Sequence, residues 1–280
     1  MRQLEHLKIG GTAGGTAHRD TSVPDITSKV RMVNDAGVFD YIDRCPPDDE
    51  FRALVTASER YDMPVLSSGW FYTLDRDALL FERNIHKARL LGSQVHNVQV
   101  LTQHADGHAA TNREVADFYA WACETGRRQN VVPCFEVHVN IWSEHFGRVE
   151  QVAELVRQRG LPFHMTLDHS HVIFKMDNPK EQPVQGMKTD IDAGNLILDP
   201  AQPGNVARRW IDANWVCWPM RDLLAHHATH DASPIRHISC EHIVGLDYGA
   251  GHKYSTFDNN VACARWLREE WVQALAATAA

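Results

Sequence analysis

The feature that most constrains the fold of this chain is a regular alternation of short apolar runs with amphipathic helical patterns along its length. Such alternation is typical of βα units that build a parallel sheet covered by helices. Eight apolar runs can be counted, at residues 7–10, 38–42, 64–67, 95–101, 131–137, 163–167, 215–218 and 235–240. Eight such units in 280 residues predict an α/β protein, a (β/α)8 TIM barrel that forms a single domain over residues 1–280.

Local signals place several boundaries within this pattern. Thr111 and Glu114 have the spacing of a capping box and predict the start of a helix. Gly160 is well placed to end the helix that precedes the sixth strand. Glycines at positions 10, 11, 14 and 15 match no nucleotide-binding spacing and predict a flexible turn between strand and helix. Residues 175–203 are polar and too long for an ordinary βα loop, which predicts a lid or an insertion.

Composition and charge exclude some classes of protein. The net charge is -8, and no stripe of Lys or Arg could follow a phosphate backbone, so we expect no binding to nucleic acid. Six cysteines are scattered without a C-x-x-C spacing, which favours reduced thiols over disulfides or a zinc ribbon. Residues 1–15 lack the charged start and apolar segment that would predict a signal peptide, and no apolar run reaches membrane-spanning length. We therefore expect a cytoplasmic protein without a membrane partner. The sequence leaves the oligomeric state open, and a homo-oligomer is one of the alternatives.

Acidic and histidine side chains follow three of the predicted strands, where a barrel gathers its active site. The fifth strand ends in Glu136 and His138, which share one face because they are two residues apart. The sixth strand is followed by Asp168 and His171, and the eighth by Glu241. A buried carboxylate is costly unless it binds a cation or a proton, so these positions predict a metal or proton-transfer site.

Each of these residues also has an ordinary structural interpretation. Glu136 could be solvated just beyond the rim, and Asp168 could cap a helix. Glu241 could form an ion pair with Arg236 at the rim. Because all three carboxylates follow strands of one predicted barrel, the joint occurrence favours the functional interpretation.

Other residues are weaker candidates for contact with a substrate. His104 follows the fourth strand, although Asp106 nearby is equally consistent with a solvated loop. Trp70 and Trp142 could stack on a sugar ring or simply pack in the core. Three histidines form a late cluster that provides either further ligands or a surface patch: His226, His227 and His230.

With these residues, the chain resembles the xylose-isomerase-like TIM barrels, a superfamily of sugar isomerases and epimerases that also includes endonuclease IV type enzymes. The resemblance covers nearly the whole chain in strand order and spacing. It implies one divalent ion, Mn, Mg, Co or Zn, and a sugar or sugar derivative as substrate. The ligands that it implies are Glu136, Asp168, His171 and Glu241. His171 and Arg221 match positions that contact substrate in such enzymes, and we add His104 and Trp70 to the candidate substrate contacts.

One position departs from the family pattern. Where these enzymes have a histidine in the seventh strand, this chain has Trp218 or Pro219. Another histidine must then replace it, or the metal is bound weakly or not at all.

The resemblance implies a metal-dependent sugar isomerase or epimerase that transfers a proton through an enediolate, with Glu136 and Glu241 as the proton-transfer pair. One alternative is a keto-sugar dehydratase or lyase in which His138 acts as general acid. Another is a noncatalytic barrel subunit, which the missing histidine favours. A phosphodiesterase of the endonuclease IV type is less consistent with the sequence, because the early strands offer few histidine ligands and the protein is acidic.

Overall fold

The computed structural model describes residues 7–18, 22–138, 140–167, 224–225, 228, 237–240 and 256–279. The described strands are β1 (Lys8–Thr12), β2 (Tyr41–Asp43), β3 (Val65–Tyr72), β4 (Val95–Val100), β5 (Val132–Val137), β6 (Met165–Leu167) and β7 (His237–Cys240). The described helices are α1 (Ile26–Asp35), α2 (Asp48–Tyr61), α3 (Ala78–Leu90), α4 (Asn112–Gln129), α5 (Phe146–Arg157) and α6 (Thr256–Ala279). The pairs of strands with a described register are all parallel, as the alternating pattern predicts.

The chain divides into two compact units. The first unit contains β1, β2, β7, α1, α2 and α6, and β1 lies between β2 and β7. Residues 237–240 form the strand that the sequence predicts as the eighth; the predicted seventh strand at 215–218 and the segment 175–203 lie outside the described residues.

The second unit contains β3 to β6 in sequential order, with α3, α4 and α5. Its core lies between one face of the sheet and the helices, and aromatic rings fill much of it. The rings of Tyr72 and Phe81 pack edge to face at 5.3 Å, and those of Tyr119 and Phe135 at 4.7 Å. Such edge-to-face pairs are favourable beyond the area that they bury.

The helix boundaries of the second unit follow from capping chemistry. The Thr111 hydroxyl accepts a hydrogen bond from the Glu114 amide, and the Glu114 carboxylate accepts one from the Thr111 amide, which confirms the predicted capping box. After α4, Asn130 adopts a left-handed conformation with φ 56°. Gly160, with φ +72°, follows α5 as the sequence predicts, and its amide donates to the Arg157 carbonyl at 2.8 Å.

Two sequence predictions about strand ends are wrong. The third strand does not end at residue 67 but continues through Gly69 to Tyr72. Aromatic residues favour strands, and Gly69 lies where neighbouring side chains come close rather than at a turn. Gly10 and Gly11 are likewise part of β1 instead of a flexible turn, and a Cβ at Gly10 would lie 2.0 Å from the ring of Tyr41.

Candidate functional site

The two faces of the sheet in the second unit carry different kinds of residue. In parallel strands paired residues point to the same side, and successive residues alternate between sides. Trp70 pairs with Val98, and Val98 with Phe135, on the face that packs against the helices. The opposite face near the carboxyl ends of the strands carries Gly69, Phe71, Asn97, Gln99, Cys134, Glu136 and Thr166. We call this second set the open sheet face.

Glu136 is the ionisable residue buried on the open sheet face, with 4% of its surface exposed. The side-chain amide of Asn97 donates a hydrogen bond to Glu136 Oε2. The Asn97 carbonyl oxygen Oδ1 is also buried, and it has no hydrogen-bond partner among the described residues. The pair therefore offers a buried carboxylate and an unsatisfied oxygen acceptor on neighbouring strands.

Ser143 fixes the backbone at the end of β5. Its hydroxyl donates to the carbonyl oxygen of Glu136 at 2.5 Å and accepts from the amide of His138 at 3.3 Å. The serine thus closes the turn that follows the strand. Because both bonds involve backbone atoms on either side of Val137, they hold the position from which the Glu136 side chain extends.

The open sheet face is packed tightly around Asn97. A Cβ added at Gly69 would lie 3.0 Å from Asn97 Nδ2 and 3.1 Å from the side chain of Gln99. Gln99 is 8% exposed. Glycine at position 69 therefore leaves the space that both amide side chains occupy beside Glu136.

His138 lies just beyond β5, and its ring meets that of Phe71 edge to face at 6.3 Å. Phe71 is 48% exposed, which is unusual for a phenylalanine and gives the open sheet face an accessible aromatic ring. Both rings are thus placed at the same ends of the strands as Glu136.

The position of Trp70 differs from the sequence-based expectation that it contacts substrate. Its side chain is partly buried against the aromatic core beneath the helices. The physical reason is that β3 continues past residue 67, so alternation turns Trp70 to the helix side and Phe71 to the open sheet face. Trp142 is also a core residue, 1% exposed, and its indole donates to Asn112 Oδ1 at 3.3 Å.

His104 lies in the polar loop between β4 and α4 rather than beside Glu136. Its Nε2 is 3.2 Å from an oxygen of Asp75, and its Nδ1 is 3.2 Å from an oxygen of Asp106. The same Asp106 oxygen contacts His108, and this hydrogen bond raises the pKa of His108. In return, hydrogen bonds from His108 lower the pKa of Asp106. The side chains of this loop therefore pair with one another and with Asp75 rather than with Glu136.

A second polar network lies on the sheet of the first unit and was not predicted from the sequence. The Ser239 hydroxyl donates to Asp43 Oδ2 at 2.5 Å and lies 3.0 Å from the Tyr41 hydroxyl. Burial and the neighbouring Asp43 carboxylate hold the pKa of Tyr41 well above its usual value. The residues at 41, 43 and 239 lie on the same side of the sheet as Gly10. The glycine at position 10, which leaves room for the Tyr41 ring, is the sequence feature that could have indicated this network.

Four residues of the predicted site lie outside the described residues: Asp168, His171, Arg221 and Glu241. The late cluster of histidines at 226, 227 and 230 lies outside them as well. The described end of β6 brings Thr166 beside Glu136 in register. Asn97 and Gln99 are additions to the candidate site, and their signal is the alternation of polar residues within the fourth apolar run.

In the parts of the chain that the structure describes, every helix is too short or too polar to cross a membrane. Within these parts, five cysteines are described, and none of them forms a disulfide: Cys45, Cys123, Cys134, Cys240 and Cys263.

Comparison of the sequence with protein-family models and with curated proteins gave no match. Comparison with solved structures gave several matches over nearly the full chain. L-ribulose 3-epimerase has 16% identity and a TM-score of 0.56, covering 96% of this chain and 95% of that chain. D-psicose 3-epimerase, solved in the presence of D-fructose, has 12% identity and a TM-score of 0.56, covering 94% of this chain and 99% of that chain.

The IolI protein, solved with a bound zinc atom, has 12% identity and a TM-score of 0.55, covering 96% of this chain and 98% of that chain. At these identities the likeness concerns the fold. It extends over nearly all of each chain. The chain therefore has the fold of the xylose-isomerase-like TIM barrels.

Proposed function

We propose that the protein is a divalent-metal-dependent sugar isomerase or epimerase, and that its reaction takes place at the open sheet face around Glu136. The observation that carries the proposal is the burial of Glu136 at the carboxyl end of β5, with the amide of Asn97 on one of its oxygens. In TIM barrels, functional side chains gather at this end of the strands. The fold shared with two 3-epimerases of sugars supports the same assignment.

The residues around Glu136 fit a divalent cation. A buried carboxylate is stabilised by a cation or by a proton, and Asn97 Oδ1 is a second buried oxygen that lacks a hydrogen-bond donor among the described residues. Carboxylate and amide oxygens are donors that Mg and Mn favour, and added imidazole extends the choice to Co and Zn. We propose that Glu136 holds the ion together with Asp168, His171 and Glu241.

The reaction would be a proton transfer at a carbon next to a carbonyl group. When bound, a divalent ion polarises that carbonyl and lowers the pKa of the neighbouring C–H. Glu136 and Glu241 would remove the proton and return it, so that the electron pair passes through an enediolate of the substrate. His171 and Arg221 would hold substrate oxygens. This proposal leaves out Trp70 and His104, since their side chains pack or pair elsewhere, and includes Phe71 as the aromatic contact.

Product analysis with a panel of ketohexoses and keto-glycosides tests the proposal. The protein is freed of metal, supplied separately with Mn, Mg, Co or Zn, and incubated with each sugar in deuterated water. We expect an epimer or an aldose–ketose isomer that carries deuterium at the reacting carbon, with activity only in the presence of metal. A dehydrated product would instead identify the lyase reaction, with His138 as general acid. Absence of both exchange and product across the panel would contradict an enzymatic role in this chemistry.

A further inference from the structure

We propose that the loop between β4 and α4 forms a divalent-metal site of its own, with His104, Asp106 and His108 as ligands. None of these residues belongs to the set around Glu136. The inference goes beyond the proposed function, because it rests on a different loop and different donor atoms.

The loop has a defined backbone that brings the two histidines together. The His104 amide donates to the His108 carbonyl at 2.9 Å, and the Gly107 amide donates to the His104 carbonyl at 2.9 Å. Gly107 has φ +94°, a conformation that favours glycine, and so it permits this tight reversal of the chain. The reversal stacks the two imidazole rings at 4.4 Å.

The donor atoms already lie close to a metal-binding arrangement. One atom each from His104, Asp106 and His108 can be chosen so that all three lie within 4.8 Å of one another. Asp106 Oδ1 lies 3.2 Å from His104 Nδ1 and 2.5 Å from His108 Nδ1. In a tetrahedral zinc site with bonds of 2.0–2.1 Å, ligand atoms are roughly 3.3 Å apart. Small rotations of these side chains are therefore enough to place an ion between them.

The outer nitrogens of both rings face carboxylates, as expected of metal-binding histidines. His104 Nε2 is 3.2 Å from Asp75, and His108 Nε2 is 2.9 Å from Glu114 Oε1. Histidine ligands commonly direct the nitrogen that does not bind metal to a carboxylate, which fixes the ring and strengthens the ligand. Glu114 is itself positioned by the capping box with Thr111. Three segments of the chain thus supply both the ligands of a metal site and the carboxylates that orient them.

The donor types favour some metals over others. Two imidazoles and one carboxylate suit Zn, Co, Ni or Cu, whereas Mg and Ca favour sites made of oxygen atoms. Side-chain exposure is 12% for His104 and 42% for His108, so the site is open enough to exchange ions and to retain water as a further ligand. A bound ion would connect the loop after β3, through Asp75, with the loop after β4 and the start of α4.

Zinc titration of the full, metal-free chain by calorimetry tests this site. The E136Q protein serves as the background, because it removes the central ligand proposed on the open sheet face. We expect E136Q to bind one Zn at the loop, and we expect H108Q and D106N in that background to weaken this binding by at least about 10-fold. His86→Gln is the matched control, since His86 is an exposed histidine on α3 outside the cluster.

The outcomes separate the loop site from the proposed function. E114Q, which keeps the capping geometry, should weaken zinc binding roughly 10- to 100-fold, as the loss of an outer carboxylate does elsewhere. Equal affinity and stoichiometry in E136Q, E136Q/H108Q and E136Q/D106N would overturn the loop site. If E136Q binds as many ions as the wild type while H108Q binds one fewer, the loop site stands and the metal proposal for Glu136 fails. Thermal unfolding of each variant verifies that it is folded.

Discussion

The side-chain amide of Asn97 on β4 donates a hydrogen bond to the Glu136 carboxylate on β5, and this contact joins buried Glu136 to a half-buried residue on the open sheet face. The amide orients the carboxylate that we propose as a ligand and proton acceptor. We therefore expect N97A to weaken metal binding by about 10-fold or more, because the partners that orient a ligand have effects of that size.

The measurement for N97A is the metal Kd by calorimetry, together with the rate of deuterium exchange into substrate. N97D should also slow deuterium exchange, since it removes the amide donor that orients the Glu136 carboxylate. Wild-type metal affinity in N97A would show that Asn97 does not position Glu136.

The space at Gly69 provides a second test of the same site. Alanine at this position would press on Asn97 and Gln99 at 3.0–3.1 Å, so both amides must shift by a few tenths of an ångström. We expect G69A to lower turnover by roughly 10-fold or more while the chain stays folded, because small misplacements of catalytic groups are costly.

Gly147 is the matched glycine for this comparison. It lies in α5, and a Cβ there would have nothing within 4 Å. G147A should keep full turnover and raise the free energy of unfolding by about 0.5–1 kcal/mol, because alanine is the better helix former. Equal turnover of G69A and G147A would contradict a role for the packing around Asn97.

Buried His96 gives the stability of the second unit a defined pH dependence. Burial lowers the pKa of its imidazole from 6.5 to about 3. The ring nitrogen Nε2 lies 2.7 Å from the Tyr72 hydroxyl oxygen, and Tyr72 accepts a hydrogen bond from the Asn84 amide at 2.9 Å. Between pH 6.5 and 3 the unfolded chain therefore binds a proton that the folded chain excludes.

The contribution of neutral His96 is fully present above pH 6.5 and is lost as the pH falls towards 3. As this contribution is lost, the free energy of unfolding falls by at most about 1.4 kcal/mol per pH unit. Urea unfolding between pH 7 and 4 should show this slope, added to that of the carboxylates. H96Q should be less stable at pH 7 yet have a shallower slope. If the two slopes are identical, the pH dependence arises from other groups.

The sequence predicts the part of the site that depends on local pattern. The apolar run that ends in Glu136 and His138 is enough to place both residues at the end of a strand, and the period of two puts them on one face. The capping box of α4 and the glycine after α5 are also local signals, and the structure confirms both.

What the sequence could not predict depends on how distant strands pair. Asn97 and Glu136 are 39 residues apart, and they meet because of the register between β4 and β5. The orientation of Trp70 depends on where β3 ends and on an irregular register between Ser67 and Trp70. A shift by one residue moves a side chain to the other face of a sheet. Because the sequence predicts the end of β3 at residue 67, it places Trp70 among the substrate contacts and not in the core.

The most direct test of the account is the rate at which Glu136→Gln exchanges deuterium from solvent into the reacting carbon of a keto-sugar that the wild type turns over. Glutamine keeps the size of the side chain and removes its charge and basicity. Glu154→Gln is the control, because Glu154 is an exposed carboxylate on α5 paired with Arg157. We predict a loss of about 10²-fold or more in exchange for E136Q and none for E154Q. An E136Q protein that exchanges deuterium at the wild-type rate would contradict the assignment of Glu136 to the reaction.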